Sequence, residues 1–457
     1  MKKSTPLYMQ LYESLKEQII EGQYESNERF PSKRQLSEHL NLSATTIEHA
    51  YQQLLEEGFI YSKPRSGYFV SEIETLPVVN RFKPVIESKE EEKPLYRYGF
   101  FLTEIDTSHF PFAQFRKYAK EAFNEDNRDL LKSGAPQGEM YLRKQIAHYL
   151  FNSRGVKCHP DQIIVGSSTK QLINLITELL PNDKFIIERP SYPPVKETLE
   201  RKQIPYQSVE VASDGIEIKP IKSTTHNVLY VTPSHQFPTG ATMHIKKRTQ
   251  LLKWSREDAH RYIIEDDYDS EFRYYGKPLP ALQSLDTSGK VIYISTFSKS
   301  LFPSCRIAYV VLPEALLARY KQLPSIENNS VPKHIQFMVS EFMASGGFER
   351  HLNKMRKIYK EKLQLILKAL KPYKDQLKIT GERTGMHFLL TVTNGLSLES
   401  CLSAAKDHQL YIKPLAHYDA NYVDQPVFVI SFGGIPTEEI REHVDILIKS
   451  LTIKKDR

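Results

Sequence analysis

The chain has 457 residues, of which 40% are hydrophobic and 26% are charged, and its formal net charge is +7. This length suggests about three domains, or one small and one large domain, and the apolar content excludes a disordered or fibrous chain. The net charge is too small to indicate nucleic-acid binding by itself, so any basic surface has to be identified locally.

The three cysteines, Cys158, Cys305 and Cys401, lie far apart in the sequence. Their spacing matches neither a disulfide framework nor a zinc site, which favours a reducing compartment. Charged residues interrupt residues 7–20, so the N-terminus has no apolar signal core. No apolar run approaches the roughly 20 residues that span a bilayer. We therefore expect a cytoplasmic protein that has no membrane partner.

The N-terminal part predicts three helices and a hairpin. Apolar residues recur at every fourth position over residues 7–19, which predicts a first helix. Ser32, three residues before a glutamine, predicts the cap of a second helix, and Ser43 predicts the cap of a third. The alternation over residues 59–70 predicts a hairpin, and its tip at residues 63–67 is basic. This combination is typical of a winged helix-turn-helix.

The chain is predicted to have three parts. The winged helix-turn-helix occupies residues 1–71. Residues 72–96 contain several prolines and an acidic run without sustained periodicity, which indicates a linker. Over residues 97–457, short apolar runs alternate with helical stretches, which indicates a largely parallel α/β sheet. Its predicted strands lie at residues 163–165, 185–187, 228–231, 262–264 and 291–294.

A winged helix-turn-helix places the start of its recognition helix in the major groove of double-stranded DNA. Short polar side chains there can reach base edges, and basic side chains nearby can contact phosphates. The candidate DNA-binding residues are Ser43, Thr45, Thr46 and His49 for the bases, and Arg34, Lys63 and Arg65 for the backbone. Residues 1–71 hold eight Lys or Arg and nine Glu. Because this segment is not net basic, a small structural or partner-binding domain is the alternative.

The clearest chemical motif is Ser295-Thr296-Phe297-Ser298-Lys299, which ends an apolar run and precedes Arg306. The hydroxyls of Thr296 and Ser298 and the guanidinium of Arg306 suit a phosphate group, beside an amine that can attack an aldehyde. This pattern indicates that Lys299 forms a Schiff base. The alternative is an ordinary solvated lysine.

Further segments offer contacts for the ring of pyridoxal 5'-phosphate (PLP). Asp266 ends a predicted strand and is the candidate partner of the pyridine nitrogen, which a carboxylate keeps protonated. Tyr268 can hydrogen-bond the phenolate oxygen of the ring. His235 or Gln236, in a loop after another strand, can also reach the phenolate side.

Two other segments complete the candidate cofactor site. Ser168 and Thr169 open a helix after a strand, where hydroxyls and amides can meet the phosphate. Tyr192 can stack on the ring. Taken singly, each of these segments is more simply an ordinary strand end or turn.

The order of these motifs carries a resemblance to known families. Residues 6–12 (PLYMQLY), 29–36 (RFPSKRQL), 50–54 (AYQQL) and 66–70 (SGYFV) closely resemble the winged-helix module of GntR-type regulators. The cofactor segments, together with GAPQG at residues 134–138, resemble the fold type I, aspartate aminotransferase-like domain. The whole chain therefore resembles a MocR-type regulator. This resemblance implies DNA binding, PLP as cofactor, a small-molecule effector and a homodimer, in which the linker allows domain swapping.

Three positions depart from the family pattern. Val429 stands where transaminases of this fold usually have an arginine that binds the substrate carboxylate, and it cannot form that bidentate clamp. Ser133 replaces an aromatic residue that relatives often contribute across the dimer. Ala44 replaces an arginine that many relatives have after the recognition-helix cap. The alternative sources of a clamp are Arg383, Arg350 and Arg189.

These departures favour a regulator without significant turnover over an aminotransferase with an accessory DNA-binding arm. Since the contacts for PLP are kept and Val429 offers no cation, the sequence favours PLP itself as the effector. By resemblance, the expected targets are genes for PLP synthesis. The alternative regulator senses an amino acid that reacts with the bound cofactor.

Overall fold

The structure is a computed structural model that describes residues 6–72, 96–276, 279–323 and 329–453. The chain forms two compact units, Met1–Lys93 and Pro94–Arg457. The predicted linker, residues 72–96, lies outside the described residues except at its two ends.

The first unit contains the three predicted helices and the hairpin, together with a short strand that was not predicted from the sequence. Its elements are α1 (Leu7–Ile20), β1 (Arg29–Phe30), α2 (Lys33–Leu40), α3 (Ala44–Glu56), β2 (Ile60–Lys63) and β3 (Gly67–Val70). The strands form an antiparallel sheet in the order β1-β3-β2. The predicted winged helix-turn-helix is confirmed.

Both predicted helix caps are present in the first unit. The Ser32 hydroxyl accepts a hydrogen bond from the Gln35 amide at 3.2 Å, and the Gln35 side chain bonds back to the Ser32 amide, which completes a capping box. The Ser43 hydroxyl accepts from the Thr46 amide at 3.2 Å and caps α3. The buried apolar side chains of α1 and α3 pack into one core, which fixes the orientation of α3.

The second unit alternates helices and strands along most of its length. Its first half contains β4 (Tyr98–Gly99), α4 (Phe112–Ala122), α5 (Met140–Arg154), β5 (Ile163–Gly166), α6 (Thr169–Leu179), β6 (Phe185–Arg189), α7 (Pro193–Arg201), β7 (Tyr206–Ala212), β8 (Gly215–Ile216), α8 (Ile218–Ser223), β9 (Val228–Val231), α9 (Ile245–Arg256) and β10 (Tyr262–Asp266). Its second half contains β11 (Val291–Thr296), β12 (Ala308–Val311), α10 (Glu314–Tyr320), α11 (Lys333–Ala344), α12 (Gly347–Leu370), β13 (Leu377–Thr380), β14 (His387–Val392), α13 (Leu398–Asp407), β15 (Leu410–Tyr411), β16 (Lys413–Pro414), β17 (Val427–Ser431) and α14 (Ile440–Leu451).

An eight-stranded sheet forms the centre of this unit, in the order β5-β12-β11-β10-β9-β6-β7-β8. The strands from β11 to β7 in this order pair in parallel, whereas β12 and β8 pair antiparallel with their neighbours. Ile263 and Ile264 of β10 belong to different hydrophobic clusters, so both faces of the sheet are covered. The predicted, largely parallel α/β sheet is confirmed.

The parallel pairing brings the carboxyl ends of neighbouring strands together. In the register of β10 and β11, Asp266 lies opposite Ile294, so Asp266 and Thr296 end neighbouring strands at the same edge. On the other side of β11, Thr296 and Gly166 both lie opposite Ala308 of β12. This edge therefore collects the ends of β5, β10 and β11, which are the strands that precede most of the predicted cofactor residues.

A smaller antiparallel sheet, in the order β13-β14-β17-β16, follows the large one in the chain. A separate two-stranded parallel pair joins β4, at the start of the unit, to β15. The first residues of the unit are therefore tied to its C-terminal part. Among the described residues, no helix combines the length and the apolar content needed to cross a membrane.

Candidate cofactor site and nucleic-acid interface

Lys299 follows β11 at the carboxyl edge of the large sheet. Its side chain is half-buried, and its amine donates a hydrogen bond to the carbonyl of Leu102. Burial lowers the pKa of this amine to about 8, an effect that the nearby Asp269 carboxylate opposes. An amine with this pKa is unprotonated more often near neutral pH than an exposed lysine, so it is a better nucleophile.

Asp266 ends β10 with a side chain that is 3% exposed. Its Oδ2 accepts a hydrogen bond from the Tyr230 hydroxyl at 2.6 Å, whereas Oδ1 is buried without a partner among the described residues. Burial raises the pKa of this carboxyl to about 7. A buried oxygen of this kind is costly unless a donor reaches it. Asp266 is therefore arranged to receive an N–H group from a bound molecule.

The adjacent Asp267 has a different role. One oxygen accepts from Arg154 at 2.8 Å and from the Tyr293 hydroxyl at 2.7 Å, and Arg154 is itself buried. Arg154 also donates to the Ser234 hydroxyl at 2.8 Å. This network pairs Asp267 with a buried cation through one oxygen, although its Oδ1, like that of Asp266, is buried without a partner among the described residues. Asp266 has no cationic partner, so it is the candidate for a protonated ring nitrogen.

Tyr268 and His235 form a hydrogen-bonded group with Asp269. His235 Nδ1 lies 2.9 Å from an Asp269 carboxylate oxygen and 3.1 Å from the Tyr268 hydroxyl. His235 is 1% exposed, and its Nε2 has no partner among the described residues. The His387 ring lies 4.5 Å from the His235 ring, between centroids. Asp269 and His387 were not predicted from the sequence, and only the position of Asp269 within the same acidic segment could have pointed to it.

His235, Asp269 and His387 are also the residue types that bind metals. Each offers one ligand atom within 4.8 Å of the others. Because His235 and Asp269 already share a hydrogen bond, we assign the group to the hydrogen-bond network of the site. Burial lowers the pKa of His387, and His235 and Lys299 lower it further, so this ring is neutral.

Gln236 does not fit its predicted place at the phenolate. Its amide nitrogen donates to the carbonyls of Pro190 at 2.9 Å and Phe237 at 2.7 Å. Its amide oxygen accepts from the Thr239 hydroxyl at 2.6 Å and the Thr239 amide at 3.2 Å. Both ends of the side chain are therefore used to hold the loop after β9, and His235 is the residue of this pair with a free ring nitrogen.

The candidate phosphate contacts lie at the same edge of the sheet. The hydroxyl of Thr296 lies 3.0 Å from that of Ser298 and accepts from the Ser298 amide at 3.1 Å. Arg306 is exposed, and its guanidinium has no hydrogen bond or ion pair within the part of the chain that the structure describes. This guanidinium is therefore available to an anion.

Ser168 and Thr169 lie at the start of α6, directly after β5. Ser168 caps the helix by accepting from the Gln171 amide at 3.3 Å, and Thr169 is buried. Tyr192, which follows β6, is half-buried and packs edge-on against Phe237 at 5.7 Å between ring centroids. Burial raises the pKa of the Tyr192 hydroxyl, and the Asp266 carboxylate raises it further. The Arg306 guanidinium opposes this rise, so Tyr192 feels the charges of both candidate cofactor residues.

The predicted position of the substrate clamp contains no cation. Val429 is completely buried in a cluster with Leu389 and Leu415. The three alternative arginines have other contacts: Arg189 pairs with Glu210, Arg350 donates to the Ser345 carbonyl at 2.9 Å, and Arg383 is exposed beside Arg273.

The candidate DNA-binding residues lie on the surface of the first unit. Ser43, Thr45 and His49 are exposed on one end of α3, and Thr46 is half-buried. The hydroxyls of Ser43 and Thr46 lie 2.8 Å apart, so both take part in capping, whereas Thr45 has a free hydroxyl among the described residues.

The three candidate phosphate contacts are also exposed. Arg34 on α2 lies 2.9 Å from Glu38 in an exposed ion pair. Lys63 lies over the Phe69 ring at 4.5 Å, and Arg65 occupies the hairpin tip with a left-handed φ of 61°. All three side chains are exposed to solvent and can approach a backbone phosphate.

Comparison with known proteins matches each of the two units to a protein family. Residues 103–447 match the family model "Aminotransferase class I and II", and residues 7–70 match "Bacterial regulatory proteins, gntR family". The chain is 38% identical to the uncharacterized HTH-type transcriptional regulator YdeL of Bacillus subtilis, over 96% of this chain and 95% of the relative. It is 30% identical to the probable rhizopine catabolism regulatory protein MocR of Rhizobium meliloti, over 97% and 93% of the two chains.

The fold of the second unit is likewise similar to solved structures. An archaeal alanine:glyoxylate aminotransferase superposes with a TM-score of 0.71 at 23% identity, over 78% of this chain and 90% of that chain. The second unit thus has the fold type I aminotransferase architecture, a class that typically binds PLP. The chain belongs to the MocR-type transcription regulators of the GntR family, in which a DNA-binding winged helix-turn-helix is joined to an aminotransferase-like domain.

Proposed function

We propose that this regulator binds PLP at Lys299 and that occupancy of this site is the signal that changes its binding to operator DNA. The observation that supports cofactor binding most directly is Asp266, which keeps one buried carboxylate oxygen without a donor among the described residues. The pyridine ring of PLP has a ring nitrogen that can fill this position when protonated. The low pKa of Lys299 and the free guanidinium of Arg306 support the same assignment.

The remaining residues orient the cofactor in this proposal. Tyr268 and His235 provide hydrogen bonds on the phenolate side, and Tyr192 covers the ring. The phosphate is bound by Arg306, by Thr296 and Ser298, and by the start of α6 at Ser168 and Thr169. When bound, PLP supplies an aldehyde and an electron-accepting ring. The low dielectric around Asp266 strengthens its interaction with a protonated ring nitrogen.

Occupancy changes the contacts of Lys299 itself. Its amine donates to the carbonyl of Leu102, and condensation of this amine with the aldehyde of PLP, with loss of water, would remove that donor from Leu102. Leu102 lies in residues 100–109, which we call the strap. The strap is held at one end by the Phe100 amide, which donates to Tyr411 at 3.1 Å, and at the other by a buried ion pair of Asp106 with Lys362 at 2.7 Å.

The strap provides the proposed route from the cofactor site to the DNA-binding unit. It follows β4, and β4 follows the residues that lead from the winged helix. A change at Leu102 therefore acts close to the start of the second unit. We propose that this shifts a dimer between two states that differ in the spacing of their winged helices, and so in their affinity for two DNA half-sites. Swapped pairing of the two units between protomers is one form that this dimer can take.

The DNA contacts follow from the exposed end of α3. In this proposal Thr45 and His49 reach base edges, and Ser43 and Thr46 mainly fix the helix start. Arg34, Lys63 and Arg65 bind backbone phosphates of double-stranded DNA. In the same proposal the protein has no significant transaminase turnover, because the buried Val429 offers no charge to a substrate carboxylate. Genes for PLP synthesis are then the expected targets.

The assignment of Lys299 can be tested with the purified protein. PLP added to the cofactor-free protein is expected to give a visible absorption band, and borohydride reduction followed by peptide mapping is expected to place the adduct on Lys299. Lys299→Ala should lose the band and keep the same urea unfolding transition. Lys290→Ala is the matched control, since Lys290 precedes β11 at its other end. An adduct on another lysine, or a band that persists in Lys299→Ala, would refute the assignment.

A further inference from the structure

A groove in the second unit lies outside the candidate cofactor site. It has a volume of about 780 Å³ and is formed mainly by the loop after β9, the start of α9, the segment after β10 and the turn between β13 and β14. None of the candidate cofactor residues named above lines it. Its apolar walls include Ile245, which is 62% exposed. Its cations are Lys246, Arg273 and Arg383. A groove with these two kinds of wall suits a small organic anion.

The backbone holds two of these cations near each other. Arg273 and Thr384 pair in an isolated antiparallel bridge, and the Tyr274 amide donates to the Arg383 carbonyl at 3.4 Å. Arg273 is half-buried and Arg383 is exposed. Burial lowers the pKa of Arg273, and the guanidinium groups of Arg383 and Arg154 lower it further. The positive charge of Arg273 is therefore unfavourable where it lies, and a nearby anion would stabilise it.

No carboxylate in the described part of the chain neutralises these two guanidinium groups. Arg273 donates through Nε to the carbonyl of Tyr275 at 2.9 Å, and the side chain of Arg383 has no hydrogen bond or ion pair. Glu382 is the acidic residue of the groove, and it forms an ion pair with neither arginine. Together with Lys246, the groove has three cations and one carboxylate. The excess of positive charge favours a dianion over a monoanion.

The start of α9 and a buried hydroxyl contribute further donors. The helix has no side-chain cap hydrogen bond at His244 and no acidic residue in its first turn, which contains Lys246. Thr384 is 3% exposed and lines the groove, and its hydroxyl has no partner among the described residues. The first amides of a helix and a free hydroxyl both donate to oxygen atoms. Guanidinium groups combined with such donors suit a phosphate group, whose oxygens accept hydrogen bonds from several directions.

The groove reaches the cofactor site through one short segment. Gly385, two residues after Arg383, packs so closely on the His235 ring that no side chain would fit between them. Gly381 makes a similarly close contact with Gly240, in the loop that contains His235. A shift of residues 381–385 therefore acts on a residue that is proposed to hydrogen-bond PLP.

We propose that this groove binds a phosphate group through Arg273, Arg383 and the start of α9, with room for a small organic group on that phosphate, and that its binding changes the affinity for PLP. This site is separate from the one proposed for the phosphate of PLP, which has Arg306 as its cation. Binding in the groove is independent of the proposed function, whereas the effect on PLP rests on it.

Binding is measured by titration calorimetry in a buffer free of phosphate and sulfate, with glycerol 3-phosphate, inorganic phosphate and succinate as probes. PLP is first fixed on the protein by borohydride reduction, so that its own phosphate site is filled. Arg383→Met removes one charge of the groove, and Arg383→Lys keeps it. Arg441→Met, at an exposed arginine of α14, is the matched control. The urea unfolding transition of each variant checks that it is folded.

At least one phosphate probe is expected to bind wild type more tightly than succinate does. Tighter binding of glycerol 3-phosphate would identify the ligand as a phosphate monoester, and tighter binding of inorganic phosphate would identify the free ion. Arg383→Met should weaken the better phosphate probe by about ten- to a hundred-fold, the usual effect of losing a charged hydrogen bond. Arg383→Lys should retain part of the affinity and Arg441→Met all of it. The proposal is wrong if neither phosphate binds, if Arg383→Met binds as well as wild type, or if succinate binds as tightly as the phosphates.

The effect on PLP is measured by titrating the cofactor-free protein with PLP, with and without a saturating concentration of the better phosphate probe. Because this probe can also compete at Arg306, only a change that Arg383→Met abolishes counts as coupling between the sites. An unchanged PLP affinity, or a change that persists in Arg383→Met, would overturn the proposed effect. A wild type without any PLP band would refute the proposed function, and calorimetry on cofactor-free Arg306→Met would still decide whether the groove binds phosphate.

Discussion

The buried carboxyl of Asp266 leads to a prediction in which cofactor binding and stability oppose each other. In the cofactor-free protein, burial raises its pKa from the ordinary value of 3.8 to about 7. The folded protein then holds this proton more tightly than the unfolded chain. The free energy of unfolding therefore falls as the pH rises from 3.8 to about 7, and stays at the lower level above that range.

The size of this effect follows from the shift. Each pKa unit corresponds to about 1.4 kcal/mol, so ionisation of Asp266 costs the folded state about 4 kcal/mol in total, as an order of magnitude. In an experiment between pH 5 and pH 8, only the two units between pH 5 and the raised pKa of about 7 contribute. Over this range the free energy of unfolding of wild type is expected to fall by about 3 kcal/mol. Asp266→Asn cannot ionise and lacks this loss. Its unpaired amide hydrogens cost roughly 1–3 kcal/mol, but they do so at every pH.

The assay is urea unfolding of the cofactor-free proteins from pH 5 to pH 8. The signal is the fluorescence of Trp254, the single tryptophan of the chain, which is buried in the second unit. Asp266→Asn should gain about 3 kcal/mol relative to wild type across this range. Asp424→Asn, an exposed control, should follow wild type.

The same substitution should weaken PLP binding, because the amide cannot pair with a protonated ring nitrogen as a carboxylate does. We expect a loss of about ten- to a hundred-fold in affinity, measured by titration of the visible band. Parallel pH profiles for wild type and Asp266→Asn, or equal affinity for PLP, would refute the role given to this carboxyl.

Two further predictions concern DNA and assembly. Replacement of Arg34, Lys63 or Arg65 by alanine should weaken DNA binding and lower the slope of log affinity against log salt by about one for each lost phosphate contact. An unchanged slope would place that residue away from the DNA. Lys378→Ala, on the exposed side of β13 in the second unit, is the control and should leave the slope unaltered. The PLP-bound protein should sediment as a homodimer at micromolar concentration, whereas a monomer under these conditions would contradict the two-half-site model.

The elements of the first unit were predictable from the sequence because their signals are local. Apolar residues at every fourth position, the two serine caps and the apolar–polar alternation of the hairpin are patterns that each extend over a few residues. Ser32 and Ser43 make the capping contacts that were expected. The short strand β1 was missed, since its two residues are defined by pairing with Phe69 and Tyr68 of β3, about 40 residues later in the chain.

Five of the eight strands of the large sheet were also predicted, since buried strands appear as short apolar runs. The strands β7, β8 and β12 were not predicted. Several site contacts were not predicted either. Asp266 and Asp267 are adjacent in sequence, and the sequence does not show that the buried Arg154 pairs with Asp267 and not with Asp266. Gln236 was expected at the cofactor, but its amide closes the loop after β9.

Lys413 illustrates a general limit of the sequence. Lys413 of β16 lies directly opposite Val429 of β17 in the small sheet. This proximity depends on the register of two antiparallel strands, which is set by packing of the whole sheet. The missing arginine is visible in the sequence, whereas the cation beside that position is not.

The most direct test of the proposal is a titration of the cofactor-free protein with PLP on DNA that carries its own promoter. DNA affinity or footprint is followed for wild type and Lys299→Ala, and L- and D-amino acids and γ-aminobutyrate are added afterwards. The proposal predicts that PLP alone changes the affinity or footprint of wild type and leaves Lys299→Ala unchanged. If wild type is indifferent to PLP and responds only to an amino acid, PLP is not the signal and the central claim is wrong.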